Sequence, residues 1–128
     1  MILKKYTITS IFGIIGIITW TITIFLRESS VNNIYTSFIL GIMPNISATW
    51  SFIWLGETIV NIKNIYFNFK IASITSAIIF LFAIVSEIIH HMFLNSPFDI
   101  YDIIATIVSI IIYLIFFYFN KNNLKANE

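Results

Sequence analysis

Tyr6–Leu26, YTITSIFGIIGIITWTITIFL, carries no charged residue and lies between Lys4–Lys5 and Arg27. A helix that crosses the hydrocarbon core of a bilayer needs about 20 mostly apolar residues. It must also satisfy every backbone polar group within itself, because lipid offers no partners. The stretch meets the length requirement and is read as a spanning helix. A secretory signal also starts with positive residues, but its apolar core is only about 7–15 residues long and is followed by a small-x-small cleavage site. The run here is longer and no such site follows, so it is read as an uncleaved helix.

Three further stretches repeat the pattern. Val31–Gly56 is uncharged up to Glu57, and its helix is expected near 37–60, with the residues through Tyr35 as loop. Ile71–Leu94 follows Lys70 and is interrupted only by Glu87, His90 and His91, giving a helix near 71–94. Ile103–Asn120 lies between Asp102 and Lys121. With Pro97 suited to a first helical turn, the fourth helix is expected near 97–119. The composition agrees: 59% of the chain is hydrophobic and 10% charged, against about 25% charged in a soluble domain. The expected fold is all-α, a four-transmembrane-helix bundle in one membrane domain over residues 1–128, with no soluble enzyme domain beside it.

Orientation follows from Lys and Arg near the helix ends. Lys4, Lys5, Lys63, Lys70, Lys121 and Lys125 fall on one side and Arg27 alone on the other. Both termini are therefore expected in the cytoplasm. Isoleucine dominates, and Asn and Lys fill the tails, which we read as the bias of an AT-rich bacterial genome. The expected location is the bacterial plasma membrane, with the lipid bilayer as the first partner. The chain has no cysteine, which excludes disulfides, thiol catalysis and thiolate metal sites. A net charge of +1 argues against nucleic-acid binding, which needs a dense basic face.

Ionisable residues within or beside spans are costly and point to function. At 1.5 Å per residue, Glu87 lies about 25 Å along the third helix, near the outer interface. Glu87, His90 and His91 are spaced i, i+3, i+4 and share a helix face. Asp99 and Asp102 fall in the first turns of the fourth helix, and Asn45 follows Pro44 in the outer part of the second. Glu87, His90, Asp99, Asp102 and Asn45 are thus the candidate binding pocket, open to the outer leaflet. Simpler roles compete. Asp99 suits a helix cap, His91 an interface residue, and Glu57 snorkelling at the inner interface near Lys63. Trp20, Trp50 and Trp54 suit bilayer anchoring and packing. Gly13 and Gly16, spaced i, i+3, do not make the GxxxG dimer motif. No residue is assigned to catalysis, and no cofactor or metal is expected.

Ser86–Tyr113, SEIIHHMFLNSPFDIYDIIATIVSIIIY, resembles the core of the VanZ-like membrane proteins. Their pattern is a helix with Glu-x-x-Gln, a short turn with a basic residue, and a hydrophobic-Asp-x-x-Asp start to the last helix. Glu87 matches the Glu, and Phe98-Asp99-Ile100-Tyr101-Asp102 matches the acidic start. Gly41–Trp50, GIMPNISATW, resembles a Pro-Asn or Pro-Asp segment of some members. His90 stands where Gln is usual, Ser96 near the usual Arg and Thr106 at the usual Asn. Ser109 and Tyr113 replace small residues. A site that needs the Arg or the Asn is altered here. The resemblance implies a four-helix membrane protein, and the family's named member is associated with lowered sensitivity to teicoplanin-type glycopeptides.

The leading functional expectation is a VanZ-like protein at the cell envelope, binding or excluding an amphiphilic envelope molecule or lipoglycopeptide through the outer polar pocket. A membrane enzyme using carboxylate and His chemistry is the alternative. Glu87-x-x-His90 supplies half of a di-metal helix motif, with no second half, while a mononuclear site with Asp99 or Asp102 stays open. Four-helix multidrug exporters rely on an acid in the first helix, and Tyr6–Leu26 has none. A membrane interaction or immunity protein remains a further class.

Overall fold

The computed structural model describes residues 6–29 and 33–126. They form four helices: α1 (Ile8–Glu28), α2 (Ile34–Ile62), α3 (Phe69–Phe93) and α4 (Ile100–Ala126). All four are long and apolar enough to cross a membrane. The chain is an all-helical, multi-pass membrane protein.

Short polar side chains set the helix ends. Thr7 opens α1 by accepting from the Ser10 N–H. Asn33 opens α2 by accepting from the Tyr35 N–H, so Ile34 and Tyr35 are helical where loop was expected, while Val31 and Asn32 lie outside the described residues. Asn68 opens α3 through the Ile71 N–H. At the end of α2, Asn64 is left-handed (φ 56°). The Ile65 N–H reaches the Val60 carbonyl and the Asn64 N–H reaches the Asn61 carbonyl, a Schellman closure. Asn95 is also left-handed (φ 49°) and turns the chain after α3. The expected start of α4 at Pro97 is corrected to Ile100. Asp99 takes the cap role, its Oδ1 accepting the Tyr101 N–H at 2.9 Å.

The helices run up and down. At one end, Thr7 meets Glu57, Thr9 meets Tyr113, and Phe67 and Phe69 pair with Phe117. At the other, Arg27 meets Leu40, Phe38 meets Tyr101 and Glu87 meets Asp99. We call these the Glu57 end and the Glu87 end. Helices α2 and α4 touch each other and both flanking helices, whereas α1 and α3 do not meet among the described residues.

Close helix contact uses small residues, as expected where lipid supplies no hydrophobic drive for association. A Cβ at Gly13 would lie 2.5 Å from Trp54, and one at Gly16 would lie 2.7 Å from the Ser47 carbonyl oxygen. These glycines therefore form the α1–α2 seam inside one chain. The buried side chains are strongly polar. Thr9, Ser47, Ser76, Thr106, Ser109 and Tyr113 are all at or below 1% exposure, and Ile53 is the large aliphatic side chain as deeply buried. Most large apolar side chains face outward, as a lipid-solvated surface requires.

Candidate functional site

Polar chemistry at the Glu87 end is assembled by the α3–α4 turn. Glu87 is six residues from the end of α3, about 27 Å from Phe69 along the helix. Its Oε2 accepts the Asp99 N–H at 3.3 Å, tying α3 to the start of α4. One turn into α4, Asp102 lies within reach of the Asn45 side-chain amide of α2. Helix α2 extends about 17 Å beyond Asn45 toward its own N-terminus, so Asp102 meets it three turns in. Asp102 also lies within electrostatic reach of Asp99, Glu87 and Arg27. Glu87 and Asp99 each accept one hydrogen bond from the scaffold, and Asp102 has the Asn45 amide beside it. An ionised carboxylate offers about four acceptor positions, so each retains capacity for a ligand.

The cation of this end has a structural explanation. Pro44 lies inside α2 and has no N–H, so the carbonyl four residues earlier loses its helical partner. That carbonyl belongs to Leu40. It accepts from Arg27 Nε at 3.0 Å and Nη2 at 2.7 Å. The guanidinium at the end of α1 replaces the missing amide and brings a fixed positive charge near Asp102.

Two hollows share Glu87. The smaller, about 430 Å³, is lined by Glu87, His90, Asp99 and Asp102 with the Ser96–Phe98 turn. The larger, about 580 Å³, is a groove between α2 and α3 with Thr106 of α4 in its wall. Its sides are mostly apolar, including Phe52, Ile59, Ile78 and Phe82, while Asn45 and Glu87 give it a polar end. Gly56 allows α3 to approach, since a Cβ there would meet Thr75 Cγ2 at 2.6 Å. The volume falls in the usual range for ligand pockets, about 300–1,000 Å³.

All five residues singled out from the sequence are therefore at one end. Glu87, Asp99, Asp102 and His90 line the smaller hollow, and Asn45 joins it through Asp102. Asp99 is also the α4 cap. His90 is exposed at the rim, and His91 Nδ1 pairs with the Ser96 carbonyl at 3.2 Å, which closes the turn. Among the described residues no three His, Cys, Asp or Glu side chains come together to hold a metal ion. The mononuclear arrangement considered above is not assembled here.

Several residues were missed. Glu57 does not snorkel: it is 5% exposed and accepts from the Thr7 hydroxyl at 2.8 Å. Tyr113 is fully buried, with its hydroxyl 2.8 Å from that of Thr9. The packing role expected of Trp50 is seen against Phe12, and its Nε1 also donates to the Ser109 carbonyl at 3.0 Å. A signal existed for part of this. Asp102, Thr106, Ser109 and Tyr113 follow an i, i+4, i+7, i+11 spacing, one continuous face of α4. Arg27 could be linked to Leu40 only through the Pro44 gap.

Compared with family models, with curated proteins and with solved structures, the chain matches none of them.

Proposed function

We propose that this chain is a VanZ-like protein of the bacterial plasma membrane that holds an amphiphilic envelope molecule at the outer leaflet and so lowers sensitivity to lipoglycopeptide antibiotics. In this reading the Glu57 end and both termini are cytoplasmic, in line with the six-to-one distribution of Lys and Arg, and the Glu87 end faces outward. One observation supports it above the others: the α2–α3 groove is mostly apolar along its length, with Glu87 and Asn45 at one end. A hydrocarbon chain suits the first part and a head group the second.

The catalytic alternative has less support. Among the described residues His90 makes no side-chain hydrogen bond to a carboxylate, so no acid–base pair is organised around it.

The test is lipoglycopeptide susceptibility of a Gram-positive host expressing wild type, Glu87→Ala or Asp102→Ala at matched membrane levels. Protection by wild type alone supports the reading. Protection that survives in both variants removes the Glu87 end from the mechanism. Absence of protection by wild type contradicts the envelope role.

A further inference from the structure

The ionic character of the groove's polar end narrows its ligand. Glu87 lines that end, and Asp99 and Asp102 line the smaller hollow that adjoins it through Glu87; Arg27 is the fixed cation within electrostatic range of Asp102. Three acidic side chains against one guanidinium make this end acidic. Arg27 also has two of its nitrogens committed to the Leu40 carbonyl. Among the described residues no Lys, Arg or His forms an ion pair with any of the three acids. Their hydrogen bonds come from two backbone N–H groups, with the Asn45 amide in reach of Asp102. Among the described residues the acidic groups of this end therefore have no pairing cation.

The rest of the groove specifies what carries the compensating charge. From Asn45 to Val60 it follows about 22 Å of α2, most of the roughly 30 Å hydrocarbon core. Its walls combine Phe52, Ile59, Ile78, Ile79 and Phe82 with small residues such as Ala83. A mostly apolar groove of this length and volume suits one hydrocarbon chain. Charge near the interface acts through a lower effective dielectric than in bulk water, which strengthens attraction for one sign and rejection of the other.

We propose that the α2–α3 groove binds single-chain cationic amphiphiles, with the chain between α2 and α3 and an ammonium-type head among Glu87, Asp99 and Asp102. This rests on the amphiphile-binding reading and adds the sign of the head group. Anionic amphiphiles of the same chain length are rejected by the same carboxylates.

The test is native mass spectrometry of the full chain in a non-ionic detergent, titrated with octadecyltrimethylammonium, octadecyl sulfate and octadecylphosphocholine. Wild type takes one equivalent of the ammonium compound with an apparent affinity about tenfold or more above that of the sulfate, and salt narrows the gap. The isosteric pair Glu87→Gln, Asp102→Asn keeps chain binding and loses the preference. Ala83→Trp, which fills the groove, lowers binding of all three. Equal binding of ammonium and sulfate by wild type overturns the head-group assignment and leaves the groove standing. A preference that persists in the neutralised pair places the head elsewhere and overturns the proposal. Failure of all three probes to bind wild type overturns the groove reading itself.

Discussion

Arg27 and Pro44 explain each other. Proline leaves the Leu40 carbonyl without its helical amide, and the guanidinium supplies two donors at 3.0 and 2.7 Å. Leu40 is buried, so removal of the guanidinium leaves an unsatisfied acceptor in an apolar setting, at a cost of about 1–3 kcal/mol. Arg27→Ala is expected to lower unfolding stability in detergent by that amount. Pro44→Ala in the same chain restores an amide and recovers much of the loss. An Arg27→Ala penalty that is unchanged in the Pro44→Ala background contradicts the pairing. Tyr113→Phe removes the partner of a buried Thr9 hydroxyl. It is expected to cost about 0.6 kcal/mol, the average for polar contacts between membrane helices, and at most about 1.7 kcal/mol. Neither pair could be read from sequence, because 13 and 104 residues separate the partners. Single residues such as Glu87 and Asp102 were legible because charge in an apolar run is itself a signal.

Helix number and approximate position were legible because 20-residue apolar runs have one structural solution in lipid. Helix ends were less so. Asn33 started α2 three residues before the expected position, and Asp99 started α4 three residues after it. Hydropathy cannot detect these capping bonds. The α1–α2 seam shows a similar limit. Gly13 and Gly16 lack the GxxxG spacing, yet they let α1 approach Trp54, Ser47 and Ser51. Gly16→Leu forces that seam apart because the first new atom meets backbone. A loss of about 1–3 kcal/mol is expected from overpacking, measured as a lower unfolding midpoint in detergent. Ile14→Leu, on the outward face, serves as the control and is expected to be neutral. Equal effects of the two changes contradict the seam.

At the scale of the whole molecule, up-down connectivity gathers the α3–α4 turn, Arg27 and the first half of α2 at one end. That gathering turns residues scattered from Arg27 to Asp102 into a single site. Sequence placed Glu87, His90, Asp99, Asp102 and Asn45 at one depth. It could not place them side by side, since depth fixes one coordinate and helix arrangement fixes the others. It gave no sign of the α2–α3 groove, whose walls look like any lipid-facing surface. The absence of cysteine makes orientation directly measurable. Ser96→Cys is expected to react with a membrane-impermeant maleimide on intact cells, and Asn64→Cys only after permeabilisation. The reverse pattern contradicts the proposed orientation.

The groove is the central claim, and photolabelling tests it most directly. A single-chain amphiphile with an alkyl diazirine is irradiated with the purified protein, and the adducts are located by peptide mass spectrometry. Adducts concentrated in 45–60 of α2 and 75–87 of α3, and reduced by Ala83→Trp, are the predicted result. Adducts spread evenly over outward side chains such as Ile14, Ile18, Ile111 and Phe116, unaffected by Ala83→Trp, show a bundle merely coated by lipid and contradict the account.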